Sequence, residues 1–208
     1  MTYEPRELIV MDDDPGAPAN LFAEAPNTYY YRTPPFRLGE KLNAAVDLAR
    51  GDYLLKLDDD DWYCPDYIDR AMSKIERIAP ANQRRVVASA TSNPVLIAST
   101  GELFRWESVW SGWGSGMLFH RDVWKAKQFC EDIESRLDQH FIQGDHFTRL
   151  SLDPDTMVYV RHGIGHLYRT VGDGSLEDHL RKSLRPCRKT LADLMGHEEA
   201  AFYEGLKS

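Results

Sequence analysis

The 208-residue chain contains no apolar run approaching the roughly 20 residues that a membrane helix needs, so no spanning segment is expected. Its amino terminus, Met1 to Arg6, carries no basic region followed by an apolar stretch, and no leader is read there. Cysteine is scarce. Cys64, Cys130 and Cys187 are an odd number at wide spacing, which excludes a disulfide framework and reads as reduced thiols in a cytoplasmic protein. Internal repeats, low-complexity tracts and linkers are absent, so one domain is expected over residues 1–208. A basic surplus is missing too. With 25 Lys+Arg against 33 Asp+Glu the net charge is −8, which argues against general nucleic-acid binding. The 42% hydrophobic content excludes disorder, and a chain of this length buries roughly 70% of its unfolded surface without staples.

What is present is an alternation of strand and helix signals. Glu7 to Met11 is a short apolar run that stops at three aspartates and Pro15, which reads as a buried strand. Gly16 to Pro35 reads as loop. From Gly39 the residues Leu42, Ala45, Val46 and Ala49 recur at helical spacing, with Gly51 as the stop. Tyr53 to Leu57 predicts a second strand, and Pro65 opens a helix whose apolar face is Ile68, Met72, Ile75 and Ile78. Further strands are expected at Arg85–Ala90, Val95–Ala98, Ser115–Phe119 and Met157–Arg161, the last of them, with a short helix from Val123-Trp124. Two helices split by Pro186 follow, Leu176–Leu184 and Pro186–Met195, so C-terminal helices begin at about residue 176. This order predicts an α/β fold with a mainly parallel sheet.

Seven of the acids fall in two runs, Asp12 to Asp14 and Asp58 to Asp61. Both runs stand at the carboxyl ends of expected strands, where ligands bind in such sheets. Clustered carboxylates repel unless a cation joins them, and hard oxygen donors suit Mg²⁺ or Mn²⁺ shared with substrate phosphates. Turn chemistry accounts for Asp12 to Asp14 equally well. It accounts less well for four aspartates directly after an apolar strand. An EF-hand is excluded, because its fifth and sixth positions would be Trp62 and Tyr63.

Five motifs now stand in order: Ile9-Val10-Met11-Asp12-Asp13; Asn43-Ala44-Ala45 through Ala49-Arg50-Gly51-Asp52-Tyr53; Leu57 to Asp61 with Pro65; Gly114 to Arg121; and Gly144-Asp145. Together they resemble glycosyltransferase family 2, inverting enzymes of the GT-A fold, and within it the spore-coat-polysaccharide type, over most of residues 7–195. The resemblance implies a Rossmann-like, mostly parallel sheet flanked by helices, and a chain that begins at the family's second strand, without its usual first strand and helix. It implies a UDP- or dTDP-sugar donor whose base meets Asp13 and Arg37. The ribose falls to Asp59 in the spore-coat alignment or to Asp58 in the more usual D-x-D alignment. Asp60 is the implied metal ligand under either. Asp145 matches the general base, which takes the acceptor proton as that oxygen attacks the anomeric carbon. Its bland alternative is a helix N-cap ahead of Phe147 and Leu150. The metal would offset charge developing on the leaving diphosphate.

Other residues carry less. His162 and His166 lie where many GT-A enzymes offer a histidine to the metal, and His166 is the preferred candidate. Trp106, Trp110 and Trp113 are stacking candidates for a sugar ring, or core anchors. Arg181, Lys182, Arg185, Arg188 and Lys189 form a basic patch, read as a solvated helix face or an anion contact. The acceptor is left open among a glycan, a lipid-linked sugar, a protein and a modified nucleobase, and a homo-oligomer is compatible with the sequence. Two other classes compete: a degenerate module that binds nucleotide sugar or metal without turnover, and a nucleotidyltransferase. The latter would show a Gly-rich basic phosphate loop near the start, and none is found.

Overall fold

The computed structural model of the protein describes residues 1–18, 22, 24–107, 114–133, 136–161, 182 and 184–205. The expected helix Leu176–Leu184 lies almost wholly outside them. β1 (Leu8–Asp12) and β2 (Thr28–Arg32) precede α1 (Leu38–Leu48), followed by β3 (Tyr53–Lys56), β4 (Trp62–Tyr63), α2 (Tyr67–Ile75) and α3 (Pro80–Gln83). Next come β5 (Val86–Ala90), β6 (Ser92–Ile97), β7 (Glu102–Glu107), β8 (Met117–His120), α4 (Arg121–Ala126) and α5 (Leu137–Phe141). The chain continues through β9 (Thr148–Leu152), β10 (Met157–Arg161), β11 (Arg185–Pro186), α6 (Leu191–Met195) and α7 (His197–Glu204).

Three sheets result, in the orders β1-β2, β3-β8-β5-β9 and β11-β7-β6-β10-β4. The pairing is mixed rather than mainly parallel. Three pairs are parallel (β1 with β2, β5 with β9, β6 with β10), and the other pairs among the described residues are antiparallel. The reason is local: β6 turns back through Ala98 to Gly101 into β7, a hairpin rather than a crossover, and β8 enters between β3 and β5 against both.

Alternation along the strands explains the layering. Val86, Ala88 and Ala90 of β5 and Leu118 of β8 face Tyr67, Ala71, Met72 and Ile75 of α2. Val87, Met117 and Phe119 point the other way, onto Val46 of α1, Trp124 of α4 and Phe141 of α5. The four-stranded sheet is therefore covered on both faces. In the five-stranded sheet, Leu96, Ala98, Val158 and Val160 pack on Leu191, Met195 and Ala200 of α6 and α7.

Two expected segments are corrected. Gly16–Pro35 contains β2, because Thr28-Tyr29-Tyr30-Tyr31-Arg32 is a β-branched and aromatic run that pairs residue for residue with β1. The helix expected over Pro186–Met195 starts only at Leu191, where Thr190 Oγ1 accepts from the Asp193 amide and Asp193 accepts from the Thr190 amide. Arg185-Pro186 instead forms β11 after the strand expected to be last.

Two ion pairs orient α1. Glu7, just before β1, takes the Arg50 and Gly51 amides at 2.6 and 3.2 Å and the Arg50 guanidinium at 3.0 Å. Asp13, just after β1, lies 2.5 Å from Lys41. α1 therefore runs antiparallel to β1, with the first acidic run at its N-terminal end. Arg121 grips the other end, donating to the carbonyls of Val46, Ala49 and Gly51. No described helix is long and apolar enough to cross a membrane.

Candidate active site

β3 carries the chain out of the four-stranded sheet at Lys56 and releases it into Leu57–Asp61, which β4 then ties to β10. Four neighbouring aspartates meet different fates there. Asp61 is buried. Its Oδ1 accepts from the Val160 amide at 2.9 Å, and its Oδ2 accepts from the Ser115 hydroxyl. Ser115 Oγ is 2.6 Å from the Tyr63 hydroxyl, which in turn accepts from the Asp58 amide at 3.0 Å. A directed chain thus runs from the Asp58 N–H through Tyr63 and Ser115 to Asp61, and it pins the loop to β10 and to the start of β8. Burial pushes the Asp61 carboxyl up to about 7, with Asp58 and Asp60 adding to the rise, while the Ser115 and Val160 hydrogen bonds oppose it. Burial likewise raises the Tyr63 phenol.

Glycine makes this junction possible. A Cβ on Gly114 would lie 1.7 Å from the Asp138 carboxyl carbon. Gly116 has φ +68°, and a Cβ there would meet the Tyr67 hydroxyl at 2.6 Å.

Asp58 turns toward Lys56, whose Nζ is 2.5 Å from Asp58 Oδ1 and 3.9 Å from Asp138 Oδ1. Burial works against the lysine's charge, yet Asp58, Asp138 and Asp61 together raise its pKa. Asp138 stands in the first turn of α5, and its Oδ1 is buried without a hydrogen-bond partner. Burial and Asp58 raise its pKa against the pull of Lys56. Asp59 is exposed and Asp60 half-buried.

The first run is built differently. Asp12 accepts from the Tyr30 hydroxyl at 2.5 Å and the Asp14 amide at 2.8 Å, and Asp14 accepts from the Gly16 amide at 2.8 Å. The two amide contacts are turn contacts, and the Tyr30 contact crosses from β2. Asp13 is held by Lys41. Arg37 caps α1 and leans to Asp132, 3.8 Å away, with half of its side chain exposed. Neither acidic run is neutralised by Arg37: each has its own lysine.

Asp145 does not cap a helix. Residues 144–147 form a bend that leads into β9, and the Asp145 carbonyl accepts from Arg85 at 3.3 Å. Arg85 precedes β5, and β5 and β9 run parallel from that end. The register Lys56↔Met117, Leu118↔Ala88 and Ala88↔Leu150 puts the acidic loop at the opposite end of the same sheet. Asp145 is thus separated from it by the length of the strands, whereas Asp138 is brought beside Lys56.

His162, His166, Trp110, Trp113 and Arg181 lie outside the described residues. Trp106 is on β7, opposite Asn93 and partly buried beside Val95 and Phe104. Lys182, Arg185 and Arg188 are exposed, and Lys189 pairs with Asp155 at 2.7 Å. Among the described residues no group of three His, Cys, Asp or Glu side chains is arranged to hold a metal ion. The donor chemistry of Asp59 and Asp60 nevertheless fits a hard divalent cation that takes its remaining oxygens from a diphosphate. Lys56, Tyr63, Ser115 and Asp138 were not singled out from the sequence. The available signal was Lys56 itself, a charge inside the apolar run Tyr53–Leu57 that burial obliges to find a partner.

An acidic loop at the end of a β-strand in a helix-flanked mixed sheet defines the protein as an α/β fold of the GT-A kind. The sequence profile described as "Glycosyl transferase family 2" matches residues 1–125, more than half of the chain, and the chain belongs to that family. A crystal structure of S. aureus TarS 1-349 is similar at 14% identity and a TM-score of 0.49, covering 74% of this chain and 51% of that one. The chain thus spans about half the length of that structure. No curated protein matches it.

Proposed function

We propose that the protein is a metal-dependent inverting glycosyltransferase that moves a sugar from a UDP- or dTDP-linked donor to an acceptor hydroxyl. The observation that carries this reading is the division of labour in Asp58–Asp61. Asp61 and Asp58 anchor the loop through Ser115, Val160 and Lys56, which gives it a rigid base with Asp59 exposed and Asp60 half-buried. In this reading Asp60 holds Mg²⁺ or Mn²⁺ together with the donor diphosphate, and the ion supplies countercharge to the leaving group. Asp59 or Asp58 meets the ribose, and Asp13 and Arg37 meet the base. His166 stays a candidate metal ligand.

The family resemblance gives the acceptor proton to Asp145, whereas the geometry favours Asp138. Asp138 shares Lys56 with the acidic loop, and burial makes it a stronger base than an ordinary carboxylate. A displacement of this kind needs one such group. The acceptor oxygen bonds to the anomeric carbon, the nucleoside diphosphate leaves with the bonding pair, and the carboxylate keeps the proton.

Nucleotide release from a panel of UDP- and dTDP-sugars with Mn²⁺ tests both levels. Wild type is expected to release nucleotide, Asp138→Asn to lose about a hundredfold or more, and Asp145→Asn to stay within a few-fold. The opposite pattern returns the base to Asp145. Metal-dependent donor binding without turnover by any of the three, given a competent acceptor, makes the protein a binding module.

A further inference from the structure

Among the described residues two asparagines are buried, Asn43 and Asn93. Asn43, on α1, is fully engaged. Its Nδ2 donates to the Phe129 carbonyl and to Glu131 Oε1, both at 2.9 Å, and its Oδ1 accepts from Trp124 Nε1 at 2.9 Å and from the Phe129 amide at 3.1 Å. Asn93, on β6, is 0% exposed, yet neither its Nδ2 nor its Oδ1 has a hydrogen-bond partner. A carboxamide left dry in this way forfeits the water it bound in the unfolded chain and gains no bond in return. Packing does not call for it, because a leucine fills a similar volume without that penalty.

The neighbours of Asn93 indicate what would satisfy it. Cross-strand partners share a face of a sheet, and Asn93 lies directly opposite Trp106 of β7. Two residues on, Val95 pairs with Tyr159 of β10, and two residues before Tyr159, Met157 pairs with Tyr63 of β4. Trp106, Asn93, Tyr159 and Tyr63 therefore stand on one face of the five-stranded sheet. That face adjoins the acidic loop, since the Tyr63 hydroxyl accepts from the Asp58 amide. An indole with a carboxamide beside it suits a sugar. The apolar face of a pyranose stacks on the aromatic ring, and its vicinal hydroxyls meet one amide donor and one amide acceptor.

We propose that Asn93 and Trp106 form a subsite for a pyranose ring, with Trp106 stacking on the ring and the Asn93 carboxamide taking a pair of its hydroxyls. The inference rests on the glycosyl-transfer reading above and supplies side chains that recognise the sugar. Because Asn93 has no exposed surface, entry requires its partly buried cross-strand partner Trp106 to swing aside and close on the ring.

The experiment titrates the full chain with methyl glycosides of glucose, galactose, mannose and N-acetylglucosamine by saturation-transfer NMR, and with UDP, UDP-glucose and UDP-galactose by calorimetry. Thermal melts are recorded alongside. Asn93→Leu is expected to melt a few degrees above wild type and Asn43→Leu well below it. Asn93→Leu and Trp106→Ala should each lose about tenfold or more in affinity for a sugar-bearing ligand, with UDP binding unchanged. Loss among the methyl glycosides assigns the ring to an acceptor glycan, and loss in the margin of UDP-sugar over UDP assigns it to the donor. Wild-type sugar affinity in folded Asn93→Leu overturns the proposal. So does a wild-type protein that binds no methyl glycoside at about 10 mM and holds UDP-sugars no better than UDP. A lower melting temperature for Asn93→Leu also overturns it, because the carboxamide then serves the fold. UDP that fails to bind wild type is the separate failure of the donor-site reading, and the methyl glycoside arm is read without it.

Discussion

Asp12–Asp14 and Asp58–Asp61 have nearly the same composition and both follow an apolar strand, yet the chain uses them in opposite ways. The first run is satisfied by its own neighbourhood. Asp12 and Asp14 accept backbone amides two residues ahead, the Tyr30 hydroxyl comes from the paired strand, and Asp13 meets Lys41 at the surface. The second run is satisfied from afar. Ser115 and Val160, which hold Asp61, come from the entry to β8 and from β10, and Lys56, which holds Asp58, is shared with Asp138 of α5. Long-range partners tie the second loop to the core, which is the kind of rigid support that the proposed donor site would need.

The comparison breaks most sharply at the second run. Asp60→Ala is expected to abolish the Mn²⁺-dependent part of UDP binding, measured by calorimetry. Asp13→Asn should weaken UDP binding without touching its metal dependence, and equal loss of metal dependence in both would make the two runs one site. Next in size is stability. Asp61→Ala strands the Ser115 hydroxyl and the Val160 amide in the core and should cost on the order of 3 kcal/mol in urea denaturation. Asp14→Ala exposes only a turn amide to water and should stay within about 0.5 kcal/mol.

The pH responses should carry opposite signs. The Tyr30 hydroxyl, then the Asp14 amide, hold the Asp12 carboxyl below its usual range. Its contribution is present above the unfolded carboxylate pKa and is lost as pH falls through the lower folded value. Asp61, pushed up to about 7 by burial, is the reverse case. Its contribution is present below the unfolded value and is lost as pH rises through about 7. In EDTA, stability should therefore decline between about pH 4 and 7, and Asp61→Asn should flatten that decline while Asp12→Asn leaves it in place. A comparably small effect is expected at the partly exposed Lys41–Asp13 pair of the first run, where Lys41→Met should cost no more than about 0.5 kcal/mol and the loss should shrink in high salt.

Much of the scaffold could be read in advance because its signals are local. α1, α2, β1, β3 and β5 follow from periodicity and from apolar runs that end at aspartate, glycine or proline. β2 escaped because its three tyrosines sit among Pro26, Asn27, Pro34 and Pro35, which read as loop until β1 supplies a pairing edge. The bend at Asp145 escaped for a related reason. Phe147 and Leu150 have helical spacing, but parallel pairing of β9 with β5 outweighs it. Asp138 gave no signal, since one acid in Leu137-Asp138-Gln139 is ordinary until Gly114 and Lys56 are folded against it.

The sequence by itself determined the family, the position of the acidic loop at the end of β3 and the residue types a divalent cation would want, because each is written in a few consecutive residues. Tertiary structure alone decided how the aspartates divide. Which carboxylate is buried against Ser115 and Val160, which is taken by Lys56 and which is exposed depends on groups drawn from β8, β10 and α5. A charge reaches its low-dielectric environment and its partners only when distant segments close around it, and no local pattern encodes that closure.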